Sequence, residues 1–356
     1  MGRTDRVTRR RFLRALGASG AAGIVFPSIA TSAKWRPGNR PRLTGRDKHT
    51  YEFVHDWLAP PDSIKWGDTH GLAQDKQGRI YVAHTVHPSS SSPDAVVVFD
   101  ENGEFIESWG ADFRGGAHGL DIREENGEEF LYHCDISRSL VVKTNLKGEV
   151  IWQKAAPSPD ECAHYAQGGR FVPTNVAFAP AGDDKPGDLF IGDGYGSSFI
   201  HRYTCDGEFV KTIATPGSGE GQVSCPHGLW IDQRGGNPLL AVADRSNRRI
   251  QYFTLDGEHV RFVTDGIRMP CHFKTRGEEM LVPDLESVVT LLDRENKVIV
   301  HLGDGHPSPL RDRQRAEFIS GRFIHPHTAI FLHTGDILVA EWVPIGRITL
   351  LRKVDG

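Results

Sequence analysis

Six similar segments of the chain each place one polar residue just before or within a short apolar run. The segments read THGLA, AHGLD, PTNVA, PHGLW, PCHFK and PHTAI, and their polar residues are His70, His118, Asn175, His227, His272 and His327. Imidazoles that converge on one point lower each other's pKa and leave acceptor nitrogens facing one another. A bound cation removes that conflict, so this column of residues predicts a metal site.

The column positions recur every 45 to 57 residues, at a mean interval of about 51. Each interval divides into short β-like runs separated by Gly, Asn and Asp turns; the fourth repeat gives HGLWID, LLAVADR, RIQYFT and HVRFV. A period near 50 residues built from such runs is typical of a β-propeller, with one blade per repeat. The sequence therefore predicts an all-β, six-bladed propeller.

The sixth repeat is one strand short, because only HTAIFL, DILVAEW and RITLLRKV precede the end of the sequence. The run YEFVHDW at 51–57 resembles the fourth strands of the other repeats. We expect this N-terminal strand to complete the last blade, since ring closure protects sheet edges. The propeller would then span residues 51–356, after a linker at 34–50.

The first strand of every blade lines the channel of a propeller, so the column residues should form a ring at one mouth. His118, His227 and His327 come from alternate blades and would lie about 120° apart around the axis. Three imidazoles with an open fourth position form a catalytic zinc-type site. His70 and His272 would be additional ligands or neighbours of the ligands. The alternative for each histidine is a packed or capping role.

A second set of polar residues ends the second strands at the same mouth. They are His84, Asp135, Asp193, Asp244, Asp284 and Glu341. We expect the four aspartates to accept backbone N–H bonds from nearby turns. Tyr195 and Arg245 lie just beyond this set. A nearby dication would make the Tyr195 phenol a usable base, and the Arg245 fork suits a carboxylate. A packed rim aromatic and a surface ion pair are the alternatives.

The third and fourth repeats carry a more specific signal in DGYGSSFI (193–200), CPHGLWID (225–232) and VADRSNRRIQYF (242–253). These segments resemble the peptidyl-α-hydroxyglycine α-amidating lyases, as do AHGLDI (117–122) and HPHTAI (325–330), and ADRSNRRIQYF resembles an NHL repeat. The resemblance spans about residues 66–352. It implies a six-bladed propeller with zinc on His118, His227 and His327, a catalytic Tyr195 and a substrate-binding Arg245.

Two positions depart from that family. Thr85 stands about where the family has a further arginine. Thr328 stands where it has an acidic residue tied to a channel calcium ion, which argues against calcium here. The resemblance implies metal-dependent cleavage of the C–N bond of a carbinolamide to an amide and glyoxylate, with zinc or another divalent transition metal.

Two other functions stay open at this point. One is a non-catalytic NHL scaffold that binds a protein or carbohydrate and holds a structural channel metal. The other is a propeller hydrolase of the lactonase type. Such hydrolases usually hold a hard cation with carboxylate and amide ligands, and the histidine-rich column argues against that set.

The first 33 residues have the features of a twin-arginine signal peptide: TRRRFLR at 8–14, a mildly apolar stretch at 15–30 and small residues to Ala33. We therefore expect the twin-arginine machinery to export the protein to the periplasm or beyond.

Without these residues the formal charge changes from −4 to −9. An acidic chain with no basic run lacks the footprint of a nucleic-acid-binding protein. No later stretch has the ~18 apolar residues of a membrane span. The expected partner is a small-molecule or peptide substrate.

Overall fold

The computed structural model describes residues 42–182 and 186–354, which form six β-sheets arranged as the blades of a propeller. The predicted fold class is therefore confirmed. Sharp turns rich in Gly and Asx residues separate the apolar runs, as at Gly257, whose φ of 94° favours glycine. Because each run is too short to bury its own apolar faces, the blades must pack against one another.

The strands are numbered along the chain. The first two are β1 (Leu43–Arg46) and β2 (His49–His55). Blade 1 contains β3 (Thr69–Gln74), β4 (Ile80–His84), β5 (Val96–Phe99) and β6 (Phe105–Trp109). Blade 2 contains β7 (Ala117–Glu125), β8 (Glu128–Asp135), β9 (Leu140–Asn145) and β10 (Val150–Lys154). Blade 3 contains β11 (Asn175–Phe178), β12 (Leu189–Gly192), β13 (Ile200–Tyr203), β14 (Phe209–Pro216) and β15 (Gln222–Val223).

The remaining blades follow the same order. Blade 4 contains β16 (Pro226–Asp232), β17 (Leu239–Asp244), β18 (Arg249–Phe253) and β19 (His259–Val263). Blade 5 contains β20 (Lys274–Arg276), β21 (Glu279–Asp284), β22 (Val288–Leu292) and β23 (Val298–Gly303). Blade 6 contains β24 (Pro326–Phe331), β25 (Ile337–Glu341) and β26 (Arg347–Lys353), together with β2 and β1.

Blade 6 is completed by the N-terminal strand, as the sequence predicts. Strand β2 pairs antiparallel with β26, with Phe53 opposite Leu351, and β1 pairs with the outer side of β2. Two details differ from the expectation: β2 begins at His49, and β1 lies inside the stretch 34–50 that we expected to be a linker. Residues 1–41 lie outside the described residues, so the signal peptide at 1–33 and the first part of the linker stay predictions.

The hydrophobic core consists of six clusters of buried side chains, one at each interface between neighbouring blades. Leu72 of β3 and Leu338 of β25, for example, share the cluster between blades 1 and 6. Packing is therefore continuous around the ring, and it fixes the first strand of each blade relative to the next. The positions of the column residues on these first strands are therefore fixed relative to one another.

Helical structure in the described part of the chain is limited to short segments. The α-helix α1 spans Ala163–Ala166, and three 3-10 turns span Ala111–Phe113, Arg245–Asn247 and Arg315–Glu317. Within residues 42–182 and 186–354, no helix has the length and apolar character needed to cross a membrane.

Candidate metal centre and active site

Four of the column histidines converge in the channel. Neighbouring ring centroids of His118, His227 and His327 lie 4.7–4.9 Å apart, and the centroid of His70 lies 4.6 Å from those of both His118 and His327. Each of the four residues is at most 4% exposed. One ring nitrogen from each of His70, His118 and His327 lies within 4.8 Å of those of the other two, and His227 is not part of this group in the described residues. The structure thus brings together the predicted trio and one of the two additional imidazoles.

A β-bulge places His118 and His227 in the channel. In β16 the pairing jumps from Pro226–Asp244 to Leu229–Val242, so His227 and Gly228 together oppose one residue of β17. Strand β7 has the same irregularity at His118 and Gly119. A bulge of this kind bends the strand and re-aims a side chain. The His–Gly pair is therefore a local feature of the strand as well as a sequence motif.

The glycine of each His–Gly pair allows a neighbouring backbone to approach. A Cβ added to Gly228 would collide with the Cys271 carbonyl oxygen, and one added to Gly119 would collide with the Thr174 carbonyl oxygen. These oxygens accept hydrogen bonds from Nδ1 of His227 at 2.8 Å and of His118 at 2.9 Å. Because the glycine has no side chain, the carbonyl oxygen of the next blade can come close enough to accept a hydrogen bond from the preceding histidine.

The third member of the trio makes an equivalent but longer contact. Nδ1 of His327 lies 3.2 Å from the carbonyl oxygen of His70, and Thr328 follows it in place of a glycine. Because a carbonyl oxygen only accepts, all three rings carry their proton on Nδ1. Their Nε2 atoms therefore hold lone pairs, the state in which an imidazole binds a metal.

Burial keeps these rings neutral. It lowers the pKa of His118 to about 3, with Arg245 and His272 adding to the effect against the Thr174 hydrogen bond. Burial also holds the pKa of His227 and His327 well below the usual value, and the other imidazoles lower it further. Neutral imidazoles that present Nε2 lone pairs fit a divalent transition metal better than a hard cation. The donor set present therefore fits the predicted zinc-type ion.

The other two column residues face a separate polar layer around Asp121. Nδ2 of Asn175 donates to Oδ2 of Asp121 at 2.8 Å, and Nε2 of His272 lies 3.4 Å from the same oxygen. The ammonium of Lys274 forms an ion pair with Oδ1 of Asp121. Burial opposes ionisation of Asp121, but Lys274 and His272 lower its pKa to about 2. His272 is therefore held by a carboxylate and does not join the cluster of four imidazoles.

Tyr195 lies where the sequence places it, beside the imidazoles. Its Oη is 3.0 Å from Nε2 of His227 and 3.3 Å from Nε2 of His118. A phenol has one proton and can donate it to only one of these two acceptors. Burial raises the pKa of Tyr195 to about 12, although Arg245 acts in the opposite direction.

Arg245 approaches Tyr195 from blade 4. Its Nη1 lies 3.4 Å from the Tyr195 Oη, and its carbon Cζ lies 5.2 Å from the centre of the tyrosine ring. Its other contacts are the thiols of Cys225, at 3.2 Å from Nη2, and Cys271, at 3.9 Å from Nη1. In the described part of the chain no carboxylate pairs with this guanidinium. A partly buried cation without an anionic partner is suited to bind an anionic ligand.

The acidic residues at the ends of the second strands have the structural role that we expected. Asp193 Oδ1 accepts the Val172 N–H at 2.6 Å, and Asp244 Oδ1 accepts the Ser224 N–H at 2.7 Å. Asp135 and Asp284 accept turn N–H groups in the same way. These bonds fix the turns that carry Tyr195 and Arg245.

The connection that contains α1 adds to this support. The Oη of Tyr165 lies 3.0 Å from Oδ2 of Asp193 and 2.8 Å from Nε2 of His201. The backbone N–H of Tyr195 donates to the Val172 carbonyl at 3.2 Å. The connection therefore rests against the segment that carries Tyr195.

Some of the curated relatives of this sequence are named as lyases. No protein-family model matches the sequence. The chain is 28% identical over 211 residues to a probable peptidyl-α-hydroxyglycine α-amidating lyase of Caenorhabditis elegans, covering 53% of this chain and 56% of that protein. It is 22% identical over 339 residues to peptidyl-α-hydroxyglycine α-amidating lyase 1 of Drosophila melanogaster, covering 83% and 59%. The chain resembles the amidating lyases.

A further relative carries a different name. The chain is 31% identical over 244 residues to the peptidyl-glycine α-amidating monooxygenase of Mus musculus, covering 61% of this chain and 23% of that protein. The match thus spans a little over half the length of the worm and fly lyases and under a quarter of the mouse protein. At these identities the relatives support an enzyme of the amidating-lyase type in general.

Among solved structures, a gluconolactonase from Xanthomonas campestris has a TM-score of 0.55 to this chain at 14% identity, and covers 88% of this chain and 95% of its own. This likeness supports the propeller fold alone.

Several site residues were missed by the sequence reasoning. Asp121 and Lys274 lie three and two residues after the column histidines of their blades, and each follows an apolar residue. The available signal was Asp121, a charged residue within the strand AHGLDIREE. The thiols of Cys225 and Cys271 immediately precede Pro226 and His272, and no local pattern connects them with Arg245.

Proposed function

We propose that the protein is a metal-dependent lyase that cleaves the C–N bond of a carbinolamide, an N-acyl-α-hydroxyglycine or a close relative, to an amide and glyoxylate. The observation that supports this best is the position of the Tyr195 Oη. It lies within 3.0–3.4 Å of two imidazole nitrogens and of an arginine that has no carboxylate partner in the described residues. A base, an anion-binding group and a metal-binding group thus meet at one atom.

Arg245 would bind the carboxylate of the hydroxyglycine unit. Its fork can make two parallel hydrogen bonds to a carboxylate. The neighbouring thiols are weak acceptors, so a carboxylate would replace them favourably. Because Arg245 also contacts Tyr195, a carboxylate bound there would bring the adjacent α-carbon close to the phenol oxygen.

Tyr195 would accept the proton of the α-hydroxyl group while the C–N bond breaks. The two electrons of that bond leave with the amide nitrogen, the hydroxyl carbon becomes the aldehyde of glyoxylate, and one proton returns to the nitrogen. A divalent transition metal on the imidazoles would polarise the hydroxyl oxygen and lower the pKa of the nearby phenol. Arg245 favours the phenolate in the same way, since it already opposes the effect of burial.

The acidic residues argue against a lactonase-type hydrolase. A hard cation needs several free oxygen ligands. Asp193 and Asp244 already accept backbone N–H groups, and Asp121 is paired with Lys274. Among the described residues, the potential ligands that converge near the channel axis are imidazole nitrogens. This ligand set favours transition-metal chemistry of the lyase type.

The decisive experiment supplies a peptide that ends in α-hydroxyglycine to the zinc-loaded protein and measures glyoxylate. We expect release above the spontaneous rate, and its loss when a chelator removes the metal. The matched substrate carries a primary amide in place of the terminal carboxylate and should react poorly, because Arg245 then has no anion to bind.

Two outcomes would contradict the proposal. Glyoxylate release no faster than in buffer would remove this substrate class. A protein that binds zinc tightly but is inactive on every α-hydroxyglycine tested would favour the scaffold with a structural channel metal.

A further inference from the structure

His70 occupies the same layer of the channel as the trio, although it belongs to an odd-numbered blade. Its Nδ1 lies 3.3 Å from Nε2 of His327, and its ring is as close to those of His118 and His327 as the trio rings are to each other. The equivalent residues of the other odd blades, Asn175 and His272, contact Asp121 instead. His70 therefore differs from the column residues of the other two odd-numbered blades.

The contact between His70 and His327 is consistent with only one arrangement of protons when no metal is bound. Nδ1 of His327 faces a carbonyl oxygen and must carry the proton, so Nε2 of His327 is a lone-pair acceptor. Nδ1 of His70, which faces that acceptor, must then donate. A metal that takes the lone pair of His327 removes the acceptor and leaves the N–H of His70 directed at a cation.

Transfer of the His70 proton from Nδ1 to Nε2 resolves this conflict and leaves a lone pair on Nδ1. Two nitrogens that each lie about 2.0–2.1 Å from one tetrahedral zinc ion are roughly 3.3–3.4 Å apart. The separation of 3.3 Å between Nδ1 of His70 and Nε2 of His327 agrees with that value. The two atoms already have the spacing of a ligand pair.

His70 also has little room to turn away. A Cβ on Gly71 would come within 2.5 Å of the Cβ of Leu120 and 2.9 Å of the His118 carbonyl oxygen, so blade 2 confines this backbone. The residue is 4% exposed. From the ring contacts, the nitrogen spacing and this confinement, we infer that His70 is a fourth imidazole ligand of the metal, bound through Nδ1.

This inference rests on the metal centre of the proposed function and extends it. Four neutral imidazoles would leave the substrate to enter as a fifth ligand, a coordination number that zinc reaches in some catalytic sites. Ions such as Cu²⁺ and Ni²⁺ also favour nitrogen-rich sets of this kind. The centre would therefore differ from a three-histidine site in affinity, geometry and metal preference.

The test compares His70→Asn with His272→Asn in the full-length protein, because both replace a buried column histidine of an odd blade. Zinc affinity is measured by competition with a chromophoric chelator, and the coordination number is measured from the d–d absorption of the Co²⁺-loaded protein. We expect His70→Asn to weaken zinc binding by more than about 100-fold, beyond the about 10–100-fold typical of a hydrogen-bond partner of a ligand. It should also alter the Co²⁺ spectrum. His272→Asn should leave both unchanged.

Unfolding of the metal-free variants, followed by circular dichroism, separates loss of a ligand from loss of the fold. The inference is overturned if folded His70→Asn keeps the wild-type affinity and Co²⁺ spectrum, or loses affinity while the spectrum stays the same. His227→Asn tests the metal centre itself, separately from the role of His70. If that variant also binds zinc as the wild type does, the proposed metal centre itself is wrong.

Discussion

Tyr195 is the residue on which the proposed chemistry depends most directly. Its hydroxyl accepts a hydrogen bond from Arg245 and can donate its one proton to either His118 or His227, but not to both. We expect Tyr195→Phe to lower kcat by about 10²–10⁴-fold, the usual contribution of general acid–base catalysis. Zinc content and KM should change little, because the imidazoles and Arg245 remain.

The matched control for that variant is Tyr203→Phe. The Tyr203 hydroxyl is buried and has no hydrogen-bond partner in the described part of the chain, so its removal deletes the same atom away from the site. Steady-state kinetics and metal analysis on both proteins check the prediction. Undiminished turnover by Tyr195→Phe would exclude this phenol as the base.

The sequence identified His70 and His272 as equivalent residues, and the structure separates them. Both occupy the same column, at or just before the start of the first strand of an odd-numbered blade. Their different roles depend on Asp121 and Lys274, which come from blades 2 and 5 and meet across the channel. A pairing between residues 153 positions apart leaves no local pattern in one sequence. The trio, Tyr195 and Arg245 could be predicted because the blade repeat itself places them at one mouth.

At the level of the strand, the His–Gly bulge sets both the direction of the imidazole and the position of its acceptor. In β16 a Cβ at position 228 would meet the Cys271 carbonyl and would lie 2.8 Å from the His272 Cα. We expect Gly228→Ala to push blades 4 and 5 apart, to lower the free energy of unfolding by about 1–3 kcal/mol, and to weaken zinc binding. Thermal unfolding and a zinc competition titration measure the two effects.

Gly235→Ala is the control in the same blade. A Cβ there would meet no atom within 4 Å, so stability and zinc affinity should stay close to the wild type. If Gly228→Ala behaves in the same way as this control, the close approach of the two strands does not position His227.

The strands themselves were easier to predict than these bulges. Apolar runs between Gly and Asx turns gave all four strands of blade 4 within a few residues. The bulges in β7 and β16 depend on how each strand pairs with its neighbour. The residue types within a single strand do not show where that pairing becomes irregular. Strand β1 was missed because LTGR has little apolar character.

For the whole molecule, ring closure depends on the pairing of β2 with β26. Tyr51 and Phe53 of β2 are buried in the cluster between blades 5 and 6, and the Phe53 ring lies 4.9 Å from that of Phe323. The ring is therefore closed by contacts between its two ends, which the incomplete sixth repeat predicts. Without β2, the edge of β26 would be open to pairing with other chains.

Truncation of the N-terminus tests this closure. A chain that begins at Arg42 retains β1 and β2 and should unfold at the wild-type temperature. A chain that begins at Trp57 loses both strands and the buried Tyr51 and Phe53. Because truncation of one buried aromatic costs about 3–5 kcal/mol, this chain should unfold at a much lower temperature and self-associate through β26.

A chain that begins at Lys48 loses only β1, which is mostly exposed, and should change little. Thermal unfolding and size-exclusion chromatography distinguish the three. A Trp57 chain as stable and monomeric as the Arg42 chain would show that the propeller does not depend on closure by β2.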